Sequence, residues 1–89
     1  MVQISESAST LLMENLTSTS VPPEAGYRLT TVKDGYRLRL DRPSDDDRVI
    51  EHEGRVLFMI HQKLDEELDD IILDVKDGDE EHLVLEATS

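Results

Sequence analysis

The segment Tyr27-Arg28-Leu29-Thr30-Thr31-Val32-Lys33-Asp34-Gly35-Tyr36-Arg37-Leu38-Arg39-Leu40-Asp41 alternates with a period of two, the signature of paired strands with one buried face. Asp34-Gly35 lies between its halves, and Asp-Gly predicts a type I′ hairpin turn because both central residues of that turn need positive φ. A two-residue loop there pairs Lys33 with Tyr36, hence Thr31 with Leu38 and Leu29 with Leu40. The apolar residues of both strands then share one face, while Arg28, Arg37 and Arg39 collect on the other. In this register Arg28 lies opposite Asp41.

Toward the N-terminus, Ile4, Ala8, Leu11, Leu12 and Leu16 recur at helical spacing and predict an amphipathic helix over about 5–18. Ser5 is placed to cap it, and Glu6 sits in the first turn, where the helix dipole favours an acid. Val21-Pro22-Pro23-Glu24-Ala25-Gly26 forbids continuation, because proline lacks the N–H and clashes with the preceding turn. On the other side, the polar loop Arg42-Pro43-Ser44-Asp45-Asp46-Asp47 leads to a second hairpin, Arg48–Glu53 and Arg55–His61, turning at Gly54. Val56-Leu57-Phe58-Met59-Ile60 is continuously apolar, as a strand buried on both faces is, and Phe58 is expected at the centre of the core.

Leu64 and Leu68, four apart among acids, predict a short helix within Lys63–Asp69. Ile71–Val75 and His82–Glu86 predict a last hairpin across Asp77-Gly78-Asp79-Glu80. The expected architecture is one domain over 1–89, mainly β (α+β). It is a small β-barrel or sandwich of about six strands in antiparallel hairpins, β-rich over 26–87, with an N-terminal helix and one short helix.

Leu, Ile, Val and Phe make up 25 of 89 residues, above the roughly 20% associated with disorder, so the chain is expected to fold. The absence of cysteine removes disulfides, thiolate nucleophiles, cysteine-held zinc and thiolate-held clusters. No stretch approaches the roughly 20 apolar residues of a membrane span, and Met1–Ala8 has no leader-like pattern, so the expected location is the cytoplasm.

Charge is the most unusual quantity, a formal −12 with a pI near 4.4. Overall the surface repels phosphate backbones and anionic lipid, so neither nucleic acid nor membrane is an expected partner. Excess acid also fits a solubility adaptation to concentrated salt. The local exception is Tyr27–Arg42, where Arg28, Lys33, Arg37, Arg39 and Arg42 face only Asp34 and Asp41, a local +3 that leaves −15 for the rest.

Most candidate sites dissolve on their spacing. His52, His61 and His82 are too far apart for a paired-ligand motif, and Glu51, His52 and Glu53 point to alternate faces of a strand. Asp45-Asp46-Asp47 lacks the spacing that wraps oxygens around calcium and reads as a solvated loop. Asp65, Glu66, Glu67, Asp69 and Asp70 read as the wet side of the short helix. No nucleophile elbow or phosphate loop occurs, and one Phe and two Tyr leave little wall for a pocket of several hundred Å3. An enzyme is not expected, nor catalytic, cofactor-binding or metal residues.

Several segments together resemble the HesB/IscA family of A-type iron–sulfur carriers. They are Ile4-Ser5-Glu6-Ser7-Ala8, Gly26-Tyr27-Arg28-Leu29, Tyr36–Asp41, Asp47-Arg48-Val49 with Glu51 and Gly54, Leu68-Asp69 and Leu73-Asp74-Val75. The resemblance covers roughly Ile4–Leu85 and implies a HesB-like scaffold. The family's cluster chemistry depends on one cysteine between the first two strands and a C-terminal Cys-Gly-Cys. Here Asp34-Gly35 turns directly, and Ser89 falls where the tail would begin. The resemblance therefore implies a non-enzymatic binding or accessory protein without cofactor, linked to iron–sulfur or sulfur metabolism. Two alternatives stand beside it: a carrier whose His and carboxylate ligands are completed in an oligomer, and an unrelated acidic interaction domain.

The basic stripe Arg28, Arg37 and Arg39 has two readings. In one, Arg28 pairs with Asp41 and the stripe is an ordinary exposed sheet face, each charge worth about 0–1 kcal/mol. In the other, the stripe is a docking face for an acidic protein partner or for another copy of the chain.

Overall fold

The computed structural model describes residues 1–76 and 82–87. Its first regular element is β1 (Gln3–Ile4), so Ile4, although it shares the helical spacing, pairs as a strand with Leu73. The helix α1 (Glu6–Ser18) begins one residue after its cap: Ser5 Oγ accepts the Ala8 N–H at 3.1 Å. Ala8, Leu12 and Leu16 form its buried stripe, whereas Leu11 lies at the margin. The helix ends where Thr17, Ser18 and Thr19 turn their hydroxyls back onto the carbonyls of Met13, Glu14 and Asn15, competing with the regular ladder.

The strands follow as β2 (Gly26–Val32), β3 (Gly35–Asp41), β4 (Asp47–His52), β5 (Arg55–His61), β6 (Ile71–Lys76) and β7 (His82–Ala87). A short helix, α2 (Gln62–Glu67), separates β5 from β6. The strands form two sheets ordered β3-β2-β5-β4 and β1-β6-β7. The architecture is therefore α+β and mostly strand, as the sequence indicates, with two mixed sheets in place of a closed barrel. Of two parallel pairings, β2 with β5 joins what the sequence presents as separate antiparallel hairpins, and β1 with β6 ties the N-terminal segment to the last pair of strands. Local periodicity cannot show them, because they connect segments far apart in the chain. The Asp77-Gly78-Asp79-Glu80 turn lies outside the described residues.

The β2–β3 register differs from the expected one by two residues. Val32 pairs with Gly35, Leu29 with Leu38, and Arg28 with Arg39. The loop is Lys33-Asp34, neither with positive φ, and Gly35 opens β3 at φ 153°, a conformation side chains rarely adopt. The type I′ geometry belongs to the next hairpin, where Glu53 and Gly54 have φ of 52° and 78° between paired His52 and Arg55. A slip of two keeps side-chain parity, so the apolar face survives it.

β5 is central, flanked by β2 and β4, and Val56–Ile60 are all buried with Phe58 fully so. Phe58 and Ile60 join Leu29, Leu12, Leu16, Leu73 and Val2 in one core. Gly26 lets β2 approach β5 closely: a Cβ there would meet Val56 Cγ1 at 2.8 Å and the Leu57 carbonyl oxygen at 2.9 Å.

Candidate functional site

On the sheet face opposite Tyr27 and Leu29, Arg28 lies beside Met59 of β5 and across from Arg39 of β3. Its guanidinium is tied down. Nη1 and Nη2 donate to the two carboxylate oxygens of Asp47, each at 2.6 Å, and Nε donates to Asp41 Oδ2 at 2.8 Å. Nη2 also donates to the Arg42 carbonyl at 3.1 Å. The expected Arg28–Asp41 ion pair therefore exists, reached diagonally rather than straight across the ladder.

Asp47 corrects the reading of its loop. Asp45 and Asp46 are exposed, but the Asp47 side chain is 0% exposed and also accepts from Ser44, through N–H at 2.7 Å and Oγ at 3.1 Å. The Arg28 fork, with help from Ser44 and against burial, holds its carboxyl down at about 2. Nothing local distinguishes Asp47 from Asp45 and Asp46, because its decisive partner lies 19 residues away.

Arg37 and Arg39, on the same face, are exposed, Arg39 touching only the rim of this network through Asp41 Oδ2 at 3.4 Å. The stripe thus divides: Arg28 is 13% exposed and committed to the fold, whereas Arg39 is 61% exposed. The same hairpin carries Val32, Tyr36 and Leu40, three of the four exposed large hydrophobics among the described residues. Leu40 is 51% exposed although its alternation assigned it to the buried face, because β3 is the outermost strand and the second sheet does not cover it there.

Between this hairpin and β6–β7 lies a cleft of about 380 Å3, walled by Leu29, Tyr36, Leu38, Leu73, Leu83 and Leu85, with Arg37 at its margin. Leucines from two sheets, rather than aromatics, supply most of its walls.

A second polar cluster holds the N-terminal strand. Asp65, buried on α2, accepts the Val2 N–H at 2.8 Å and two donors of Arg48, Nε at 3.0 Å and Nη2 at 3.1 Å. Arg48 Nη2 also donates to the Val2 carbonyl. Burial pushes the Asp65 carboxyl up, but the Val2 N–H and Arg48 outweigh it and leave it below its ordinary value. Asp65 is therefore no part of a wet helix face, unlike exposed Glu66, Glu67, Asp69 and Asp70.

His52 is exposed, and exposed His61 caps α2, its Nδ1 accepting the Lys63 N–H at 3.1 Å. Among the described residues no three His, Asp or Glu side chains converge where they could hold a metal ion, and no helix is long and apolar enough to cross a membrane.

Comparison with protein-family models gives no match, and comparison with curated proteins gives none either. Solved structures do match. Escherichia coli SufA, involved in biosynthesis of iron–sulfur clusters, superposes with a TM-score of 0.75 at 20% identity, over 99% of this chain and 87% of that one. IscA with its [2Fe-2S] cluster superposes with a TM-score of 0.60 at 17% identity, over 98% of this chain and 85% of that one. Superposition over nearly the whole length gives this cysteine-free chain a HesB/IscA-like fold.

Proposed function

We propose that this chain is a non-enzymatic accessory protein of iron–sulfur cluster assembly, acting through protein contacts and ligating no cluster itself. The observation that carries the reading is a SufA-like fold over 99% of a chain without cysteine. Iron in such clusters is held mainly by thiolates, and the two-residue Lys33-Asp34 connection stands where the resemblance places the first cysteine loop. Arg28, Arg37 and Arg39 form the docking side in this reading: Arg37 and Arg39 meet the partner, and Arg28 holds the sheet that presents them.

Two measurements test the proposal. Anaerobic reconstitution with iron and sulfide is expected to leave no protein-bound visible absorbance after desalting; a stable brown protein with stoichiometric iron and sulfide overturns the non-ligating part. Mixing with SufA or with cluster-loaded IscA is expected to produce co-sedimentation and to change the rate of cluster transfer to an apo-acceptor. Independent sedimentation with an unchanged rate overturns the link to assembly.

A further inference from the structure

The two sheets leave one seam open. β3 is an outer strand of the first sheet and β7 of the second, and residues of both line the 380 Å3 cleft between them. Alternate residues of an edge strand turn their backbone N–H and C=O groups away from the sheet, so β3 offers a row of such groups beside the cleft. Along that strand Tyr36, Leu38 and Leu40 alternate with Arg37 and Arg39, and Tyr36 and Leu40 are 45% and 51% exposed. The edge therefore combines three features: backbone pairing groups, an apolar space on one face, and two exposed cations on the other.

We propose that this seam receives an extended segment of a protein partner, alternately apolar and acidic, which adds as a fifth strand to the free edge of β3. The proposal rests on the reading that the exposed arginines dock a protein, and it names the partner's chemistry and mode of attachment. Backbone pairing supplies affinity, and alternation supplies selection. Apolar side chains of the added strand enter the leucine-walled cleft, while the intervening acids face Arg37 and Arg39.

Charge decides against a second copy of the chain. Antiparallel pairing of β3 with another β3 in full overlap, centred on Leu38, brings Arg37 and Arg39 against one another, which is destabilising. The remaining surface of this chain, at −15, repels an acidic strand everywhere except at the hairpin, which restricts docking to this edge.

The test uses a fluorescein-labelled, terminally blocked peptide of sequence Leu-Glu-Val-Glu-Leu-Asp-Val, read by anisotropy against the full chain at low salt. Saturable binding is expected, weakened at least tenfold when every acid of the peptide becomes lysine, and likewise by the double variant R37E/R39E. N-methylation of the peptide amides that face β3 is expected to abolish binding, since it removes the pairing and leaves charge and apolarity in place. Equal melting temperatures for the double variant and the parent establish that the loss is local.

Absence of saturation up to about 1 mM overturns the proposal. So does equal binding of the acidic and lysine peptides, or indifference to N-methylation. A chain that sediments as a dimer and is dissociated by R37E/R39E overturns the choice of occupant in favour of a second copy. If the peptide fails while SufA or IscA still co-sediments, the docking mode is wrong and the accessory function stands; if both fail, the function falls as well.

Discussion

Arg28 and Arg39 are direct neighbours across the β2–β3 ladder, equal in chemistry and on the same face, yet they do different work. Arg28 stands on an inner strand, beside fully buried Met59 and within reach of Asp47 and Asp41. Arg39 stands on the outer strand, 61% exposed, with one long contact to Asp41 at 3.4 Å where Arg28 has a short fork to two carboxylates. The contrast teaches that a residue's role on a sheet follows from how many strands flank it. An inner position supplies partners from both sides and makes a charge structural, whereas an edge position leaves it available to something else.

The largest expected effect anchors the inner side of this contrast. Phe58→Ala is expected to cost about 3–5 kcal/mol, from lost transfer energy and a residual cavity, and to leave the protein largely unfolded at 37 °C. Leu40→Ala on the edge strand should cost under about 1 kcal/mol, since half of that side chain is already in water. Urea denaturation of the two variants measures both; comparable losses would erase the distinction between centre and edge.

Arg28→Gln is expected to come next, at about 3 kcal/mol, because it strands the buried Asp47 carboxylate without its cation. Restoration of most of the loss in Arg28→Gln/Asp47→Asn identifies that carboxylate as the cause, and a double-mutant cycle reads it directly. A loss under about 1 kcal/mol for the single change would place Arg28 with its exposed neighbours.

Acid titrates the same pair. A carboxyl held at about 2 when folded, against roughly 3.9 when unfolded, contributes stability above pH 4 and loses it as pH falls from about 4 toward 2. The expected contribution of Asp47 is about 2–3 kcal/mol, and Asp47→Asn should flatten that part of the stability curve. An unchanged acid limb in the variant assigns the loss to other groups, such as Asp65 or Asp74, whose carboxyls also lie low.

The smallest effect belongs to the edge. Arg37→Gln/Arg39→Gln is expected to change stability by about 0–1 kcal/mol, within a few degrees of melting temperature. A loss approaching that of Arg28→Gln would show that these arginines are also committed to the fold.

Much of the fold is legible in the sequence because it rests on short-range chemistry. Ser5 followed by the Ala8, Leu12 and Leu16 stripe marks α1 to within a residue at its start, and Val56–Ile60 marks the central strand because only burial on both faces suits such a run. The turn chemistry is less legible. Asp34-Gly35 reads as type I′ but Gly35 is drawn into β3, while Glu53-Gly54, a weaker signal, adopts that geometry. The strain of one left-handed non-glycine residue is small beside the pairing and burial that β4 and β5 gain by closing there.

The candidate site is legible only in outline. The sequence by itself shows that a +3 segment sits in a −12 chain whose remainder carries −15, that no thiolate is present, and that the apolar face of the hairpin must be buried against something. Which arginine is locked and which is exposed, that Asp47 is a buried partner while Asp45 and Asp46 are solvated, and that leucines of β2, β3, β6 and β7 line a cleft are all decided by tertiary structure. The physical reason is one of range. Periodicity, capping and net charge are set by neighbours along the chain, whereas strand order, parallel pairing and the desolvation of a single carboxylate depend on segments that meet only when the two sheets form.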